Sequence, residues 1–206
     1  MQADHEDPAM AHLDPLPRED IEDHELQGML ERYLRIRKFI PNSVLTMARR
    51  PGIAKAFAAL NQAILYEGSV PEETKMLAAL ISSQASGCRY CQSHMANLSS
   101  IFSASDEKIA ALWDFRSSPL FSDAERAALN IAVKAGQLPN ECDAQDFAEL
   151  KRHWDEGQIV EIIAAIGLFG YLNRWNDTMA TELEEYPAAV AERTLGNWGW
   201  DSGKHG

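Results

Sequence analysis

Residues 159–172 read IVEIIAAIGLFGYL, with Glu161 the only charged side chain among them. The run is apolar around its whole circumference at helical spacing. A helix of that kind is normally buried inside a bundle. Its most apolar part, Ile159 to Gly170, is too short to span a bilayer. The polar residues on either side extend the expected helix to Glu156 and to about Leu183. This places a long buried helix near the end of the chain, and the remaining segments read as helices that pack around it.

Working back toward the start, Asp143 opens an expected helix to about Trp154. Ser122-Asp123-Ala124-Glu125 matches a capping box, and the helix behind it runs to Ala135, with Gly136 following. Ser105 caps a short helix that includes Ile109, Leu112 and Trp113. Cys88 to about Phe102 forms another helix. Before it, Pro71 with Glu72 and Glu73 opens a helix through Leu77, Leu80 and Ile81 that breaks at Gly87. Pro51 to Tyr66, Val44 to Arg49, and Asp20 to Phe39 complete the series, and Pro41 stops the earliest. Ala188 to Leu195 adds a last helix before a short tail. No segment reads as a strand and no repeat is visible, so the expected fold class is all-α. Residues 1–19, with prolines at 8, 15 and 17, read as a flexible arm or one that wraps a neighbouring subunit. Residues 20–206 read as a single domain.

The totals narrow the function. A chain of 206 residues is ample for one hydrophobic core. The net charge of −12 argues against nucleic acid and against an anionic membrane surface as partners. The first twenty residues lack the apolar segment of a signal peptide, which points to the cytoplasm. Thiols stay reduced in that compartment. A close cysteine pair there is catalytic, redox-active or metal-binding rather than a structural staple.

Such a pair exists. Cys88 and Cys91 stand three apart in SGCRYCQSHM (residues 86–95), and the only other cysteine is Cys142. If Gly87 breaks the chain, both thiols fall in the first turn of the next helix. Unpaired N–H groups and the positive end of the helix dipole favour a thiolate there. A cysteine so placed can have its pKa lowered from about 8.5 into the range of roughly 3.5–7.5. A second thiol one turn away can then close a disulfide. His94 is a helical neighbour of Cys91, with Cβ atoms roughly 5–6 Å apart, and can take its proton. Two other readings are open. The cysteines can be core filler, or zinc ligands with His94 and with Cys142 or His153 as a fourth. The spacing of Cys142 and His153 is unlike a second tight ligand pair, so no metal and no cofactor is expected.

The segment ALISSQASGCRYCQSHMANLS resembles the signature of the alkylhydroperoxidase AhpD-like / carboxymuconolactone decarboxylase superfamily, in its peroxidase-related branch. FSDAERAALNIAVKAGQLP and IVEIIAAIGLFGYLNRWNDTMATELE are similar to two further elements of that branch. Asn173-Arg174-Trp175-Asn176-Asp177 is the specific part of the second. The resemblance covers about Ile36 to Tyr186. It implies an all-α, AhpD-like bundle that forms homo-oligomers. It also implies a thiol peroxidase that reduces a small hydroperoxide at the cysteine pair and is reset by an external dithiol. Cys91 would attack and Cys88 would resolve. The family's relay glutamate and histidine fall on Met76 and Met95 here. His94 is the displaced histidine, Glu72 or Glu73 the displaced acid, and Asp177 a further candidate. Two other functions compete: a cysteine-independent decarboxylase of a small lactone, and an oligomer whose cysteine pair senses oxidation without turnover.

Overall fold

The computed structural model describes residues 11–206. Its helices are α1 (His24–Arg37), α2 (Asn42–Met47), α3 (Pro51–Tyr66), α4 (Glu72–Ser86), α5 (Arg89–Ile101), α6 (Asp106–Ala110), α7 (Asp123–Gly136), α8 (Ala144–Leu150), α9 (Glu156–Met179) and α10 (Glu185–Leu195). Among the described residues no strand forms, so the all-α expectation holds. None of these helices is long and apolar enough to cross a membrane.

Helix starts follow local chemistry. Asp23, Ser105, Ser122, Asp143 and Asp155 each accept a hydrogen bond from a first-turn N–H. The expected capping box at Ser122 and Glu125 is formed in both directions, and Asp143–Asp146 and Asp155–Gln158 form two more. Several boundaries differ from expectation: the first helix starts at His24 rather than Asp20, the short helix behind Ser105 ends at Ala110, and the last starts at Glu185. The helix that starts after Asp143 ends at Leu150. The chain then turns so that the Trp154 indole donates to the Ala124 carbonyl at 2.9 Å and Asp155 caps the next helix. Helix α9 stops at Met179 rather than near Leu183, because Ala180 takes a left-handed conformation at φ 46°. That break lets residues 181–184 run extended back across α5.

The centre of the bundle is α4 and not α9. Every residue from Thr74 to Ser83 is buried, with α5, α7 and α9 packed around it. Leu77, Leu80 and Ile81 are fully enclosed. Each such side chain contributes about 1.5–3 kcal/mol through burial. Helix α9 puts Ile162, Ala165, Ile166 and Phe169 against this core but leaves Val160 at 67% and Tyr171 at 43% exposure. The reading of 159–172 as enclosed on all sides is therefore corrected for the single chain. Beside α9, α3 turns Ile53 and Leu60 outward at 47% and 52% exposure. The two helices together present one apolar face.

Of the expected arm, residues 1–10 lie outside the described residues. Residues 11–19 lie on their own chain: the His12 N–H donates to the Met179 carbonyl at 2.9 Å, and Arg49 donates to the Asp14 carbonyl at 2.9 Å.

Candidate functional site

The site begins where α4 ends. Gly87 adopts φ 84°, a left-handed conformation that a side chain would strain, and its N–H donates to the Gln84 carbonyl. Cys88 then becomes the N-cap of α5, and its sulfur accepts the Cys91 N–H at 3.4 Å. The stabilisation offered by the helix start therefore falls on the sulfur of Cys88. Cys91 sits one turn further in, 1% exposed, with Asn176 Nδ2 donating to its sulfur at 3.4 Å. Burial and the adjacent Cys88 sulfur push the Cys91 thiol well above its ordinary range, against a smaller opposing pull from Asn176. The expectation that Cys91 is the easily ionised thiol is thus reversed for the resting protein.

His94 is 4% exposed and one turn beyond Cys91. Its Nε2 meets Glu184 Oε2 at 2.7 Å, and its Nδ1 faces Arg37 Nη1 at 3.5 Å. Nε2 is thus placed to donate to a carboxylate, while Nδ1 faces a guanidinium, which can only donate. Tyr90 stacks on His94 at 4.3 Å between ring centroids. Its hydroxyl donates to Glu184 Oε1 at 3.1 Å and accepts the Ser43 N–H at 3.3 Å. The Asn42 N–H also donates to Glu184, at 2.5 Å. Burial pushes the Glu184 carboxyl up, but the charge and hydrogen bond of His94 outweigh it and hold the group below its usual range. His94 is thus fixed by a carboxylate, as a relay histidine needs, and that carboxylate is Glu184.

Glu72 and Glu73 are not brought to this place. Glu72 is exposed at the start of α4, and Glu73 pairs with Lys108 at 2.7 Å. Neither lines the cavity at Cys91. Both are N-terminal acids of α4, whose far end leads through Gly87 to the cysteines at the start of α5. The zinc set is not assembled either. The Cys142 thiol points at the Ile131 carbonyl at 3.6 Å, and His153 pairs with Glu149 at 3.1 Å.

A second constellation lies on the other side of the pair. His205, in the C-terminal tail, is 1% exposed. Its Nδ1 faces the Thr181 carbonyl at 2.8 Å and its Nε2 faces Asp177 Oδ1 at 3.1 Å. Both partners are acceptors, so either ring nitrogen can donate when it carries a proton. Burial raises the Asp177 carboxyl, but His205 and Lys204 outweigh it and hold it lower than usual. The Cys88 sulfur, an Asp177 oxygen and a His205 nitrogen all lie within 4.8 Å of one another. Such a donor set can also take a soft divalent ion. Sequence reasoning did not single out His205 or Glu184. Each is remote from the cysteines in the chain: Glu184 is the unremarked last residue of the 159–184 segment, and His205 sits in no recognisable pattern.

Cys91, His94, Arg37, Tyr33, Tyr90 and Asn176 face an inner cavity of about 20 Å³, room for one water-sized group. Next to it, between α1 and α3, lies an outer chamber of about 290 Å³ that shares Tyr33, Arg37 and Asn61 with it. The site can thus hold a small molecule outside and present one small group to the Cys91 sulfur.

Comparison with known proteins places this geometry. The carboxymuconolactone decarboxylase family profile matches residues 51–134. The debrominase Bmp8 is 35% identical over 88% of this chain and 97% of its own, with a TM-score of 0.82. The chain belongs to the AhpD-like / carboxymuconolactone decarboxylase superfamily. A cysteine-to-alanine variant of Bmp8 in complex with 2,3,4-tribromopyrrole matches at 34% identity, over 91% of this chain and all of the other, with a TM-score of 0.84. A peroxidase-related protein from Ralstonia eutropha shares the AhpD-like fold at 20% identity, over 85% of this chain and 94% of its own, with a TM-score of 0.73. The uncharacterized protein YnjA of Escherichia coli is 35% identical over 92 residues, 45% of this chain; the match spans half the length of that relative. Members of this superfamily include enzymes, the debrominase among them.

Proposed function

We propose that this protein is a dithiol reductase of small electrophilic molecules, with Cys91 facing the substrate and Cys88 resolving. The observation that carries the reading is the placement of the two sulfurs. Cys91 opens on the inner cavity, while Cys88 lies beside His205 and Asp177. The Cys91 thiol gives its proton toward the Cys88 sulfur and the His205–Asp177 pair as substrate arrives. His94, held by Glu184 and Arg37, orients the substrate group in the cavity.

Two electrophiles fit. With a halogenated ring, the Cys91 sulfur takes the halogen while the ring carbon keeps the bonding pair and is protonated. The Cys88 thiolate then displaces halide to form the disulfide. Two thiols and a carbon–halogen bond become a disulfide, a carbon–hydrogen bond and hydrogen halide. The likeness to a debrominase along nearly the whole chain favours this electrophile. With a hydroperoxide, Cys91 takes the terminal oxygen as a sulfenic acid and releases an alcohol. Cys88 then displaces water. The near one-water volume of the inner cavity favours this second electrophile. In both cases an external dithiol regenerates the pair. The working form is a homo-oligomer, which the apolar face of α3 and α9 supports.

The test is to incubate reduced protein with 2,3,4-tribromopyrrole or cumene hydroperoxide and follow the masses of peptides containing Cys88 and Cys91. A Cys88–Cys91 disulfide should form with one equivalent of bromide or alcohol. His205→Gln should slow its formation by about 10²–10³-fold at neutral pH, in the range of a lost acid–base group. If neither electrophile yields the disulfide, or if turnover survives replacement of both cysteines by serine, the reading fails.

A further inference from the structure

Arg37 is an unusual residue to find at 6% exposure. It is permanently charged and carries five donors. Among the described residues it forms no ion pair with a carboxylate; its polar neighbours are His94, at the 3.5 Å limit, and the Tyr66 hydroxyl, and its Nε is unpartnered. The Tyr33 hydroxyl, on the preceding turn of α1 and 7% exposed, also has no partner. Arg32 adds a second unpartnered Nε, with its guanidinium over the Tyr66 ring at 4.6 Å. A buried charge and two buried donors without acceptors are normally found where something else supplies the acceptor. All of them line the outer chamber, and Arg37 and Tyr33 also form the wall it shares with the inner cavity. The remaining lining is mixed: Gly28, Ala58 and Ala59 open a slot between α1 and α3, and Arg35, Asn61 and Gln62 add polar groups, with Gln62 Oε1 also unpartnered.

We propose that the outer chamber binds a planar, weakly acidic aromatic molecule as its anion. The anionic atom accepts from the Arg37 guanidinium and the Tyr33 hydroxyl, and the ring edge points through the shared wall at Cys91. This deepens the reductase reading by naming its substrate class, and it rests on that reading only for what happens at the ring edge. The charge recognition stands on Arg37 and Tyr33, the two that also face the inner cavity, whatever the chemistry at Cys91. A neutral molecule of the same shape leaves the guanidinium buried and uncompensated, so the chamber discriminates by charge rather than by size.

The experiment separates binding from chemistry. The Cys88→Ser/Cys91→Ser protein cannot form the active-pair disulfide, and its affinity for 2,4,6-tribromophenolate and for neutral 2,4,6-tribromoanisole is measured by calorimetry at pH 8. The phenolate should bind at least about tenfold more tightly, the size of one charge-assisted contact. Arg37→Met in that background should erase the preference by weakening only the phenolate, and Arg37→Lys should restore part of it. Should Arg37→Met fail to fold, the phenolate's affinity is followed against pH in the parent, where it must track ionisation of the phenol. Equal affinity for the two probes, or a preference that survives Arg37→Met, overturns the proposal. A charge preference without any Cys88–Cys91 disulfide in the wild-type protein overturns the reductase reading and leaves the anion site standing.

Discussion

Glu161 on α9 ties the start of α4 to the bundle. Its carboxylate accepts the Ser69 and Val70 N–H groups at 2.9 and 3.0 Å and pairs at 2.8 Å with Lys75, which is 1% exposed. Gly68 makes room for it: a Cβ there would overlap the carboxylate, and the φ of 94° is left-handed. Burial raises the Glu161 carboxyl, but Lys75 and the loop N–H groups outweigh it and bring it from 4.5 down to about 2. A depressed carboxylate contributes stability above its unfolded pKa and loses it as pH falls through the folded value. The shift converts to about 3 kcal/mol at pH 7, and the side chain's 21% exposure reduces this to about 2–3 kcal/mol. At pH 3, between the two values, about 1 kcal/mol survives. Urea denaturation of Glu161→Gln should show these losses at the two pH values. Lys75→Met/Glu161→Gln should recover part of the loss at pH 7, since it removes the stranded ammonium. A loss under about 0.5 kcal/mol at pH 7, or an equal loss at both pH values, would refute the reasoning.

Four further outcomes follow from the same geometry. Gly68→Ala should cost about 2 kcal/mol or more in urea denaturation, by displacing Glu161 and straining a left-handed position. Iodoacetamide at pH 7 should leave Cys91 unmodified by peptide mass mapping while the fold is intact, with labelling rising only at strongly alkaline pH, because its thiol is pushed up. Glu184→Gln should lower stability by about 2 kcal/mol, the scale of a hydrogen bond to a charged group. Since Glu184 is held below its usual range, the gap to wild type should close as pH falls through the carboxylate range. Wild-type protein should elute in light-scattering chromatography above the 22.9 kDa of one chain, and Leu60→Glu/Val160→Glu should reduce it to one chain.

The helices were legible in the sequence because their causes are local. Capping boxes, prolines in first turns, Gly87 and the 3.6-residue period act within a few positions of the residues they order. The same locality made Cys88, Cys91 and His94 visible as a cluster, since all three lie within two turns of one helix. Burial order was not local: 159–172 is more apolar than α4, yet α4 is enclosed and α9 turns Val160 and Tyr171 outward, because enclosure depends on how many helices pack on each face. Nor could spacing find Glu184, His205 or the isolation of Arg37. Ala180 ends α9 and sends residues 181–184 back across α5, the tail returns His205 to Cys88, and α1 lays Arg37 against His94 from 57 positions away. Residue order determined where the helices and the thiols are. Only the packing of distant segments decided which sulfur faces the inner cavity, which acid holds the histidine, and which buried cation has no carboxylate beside it.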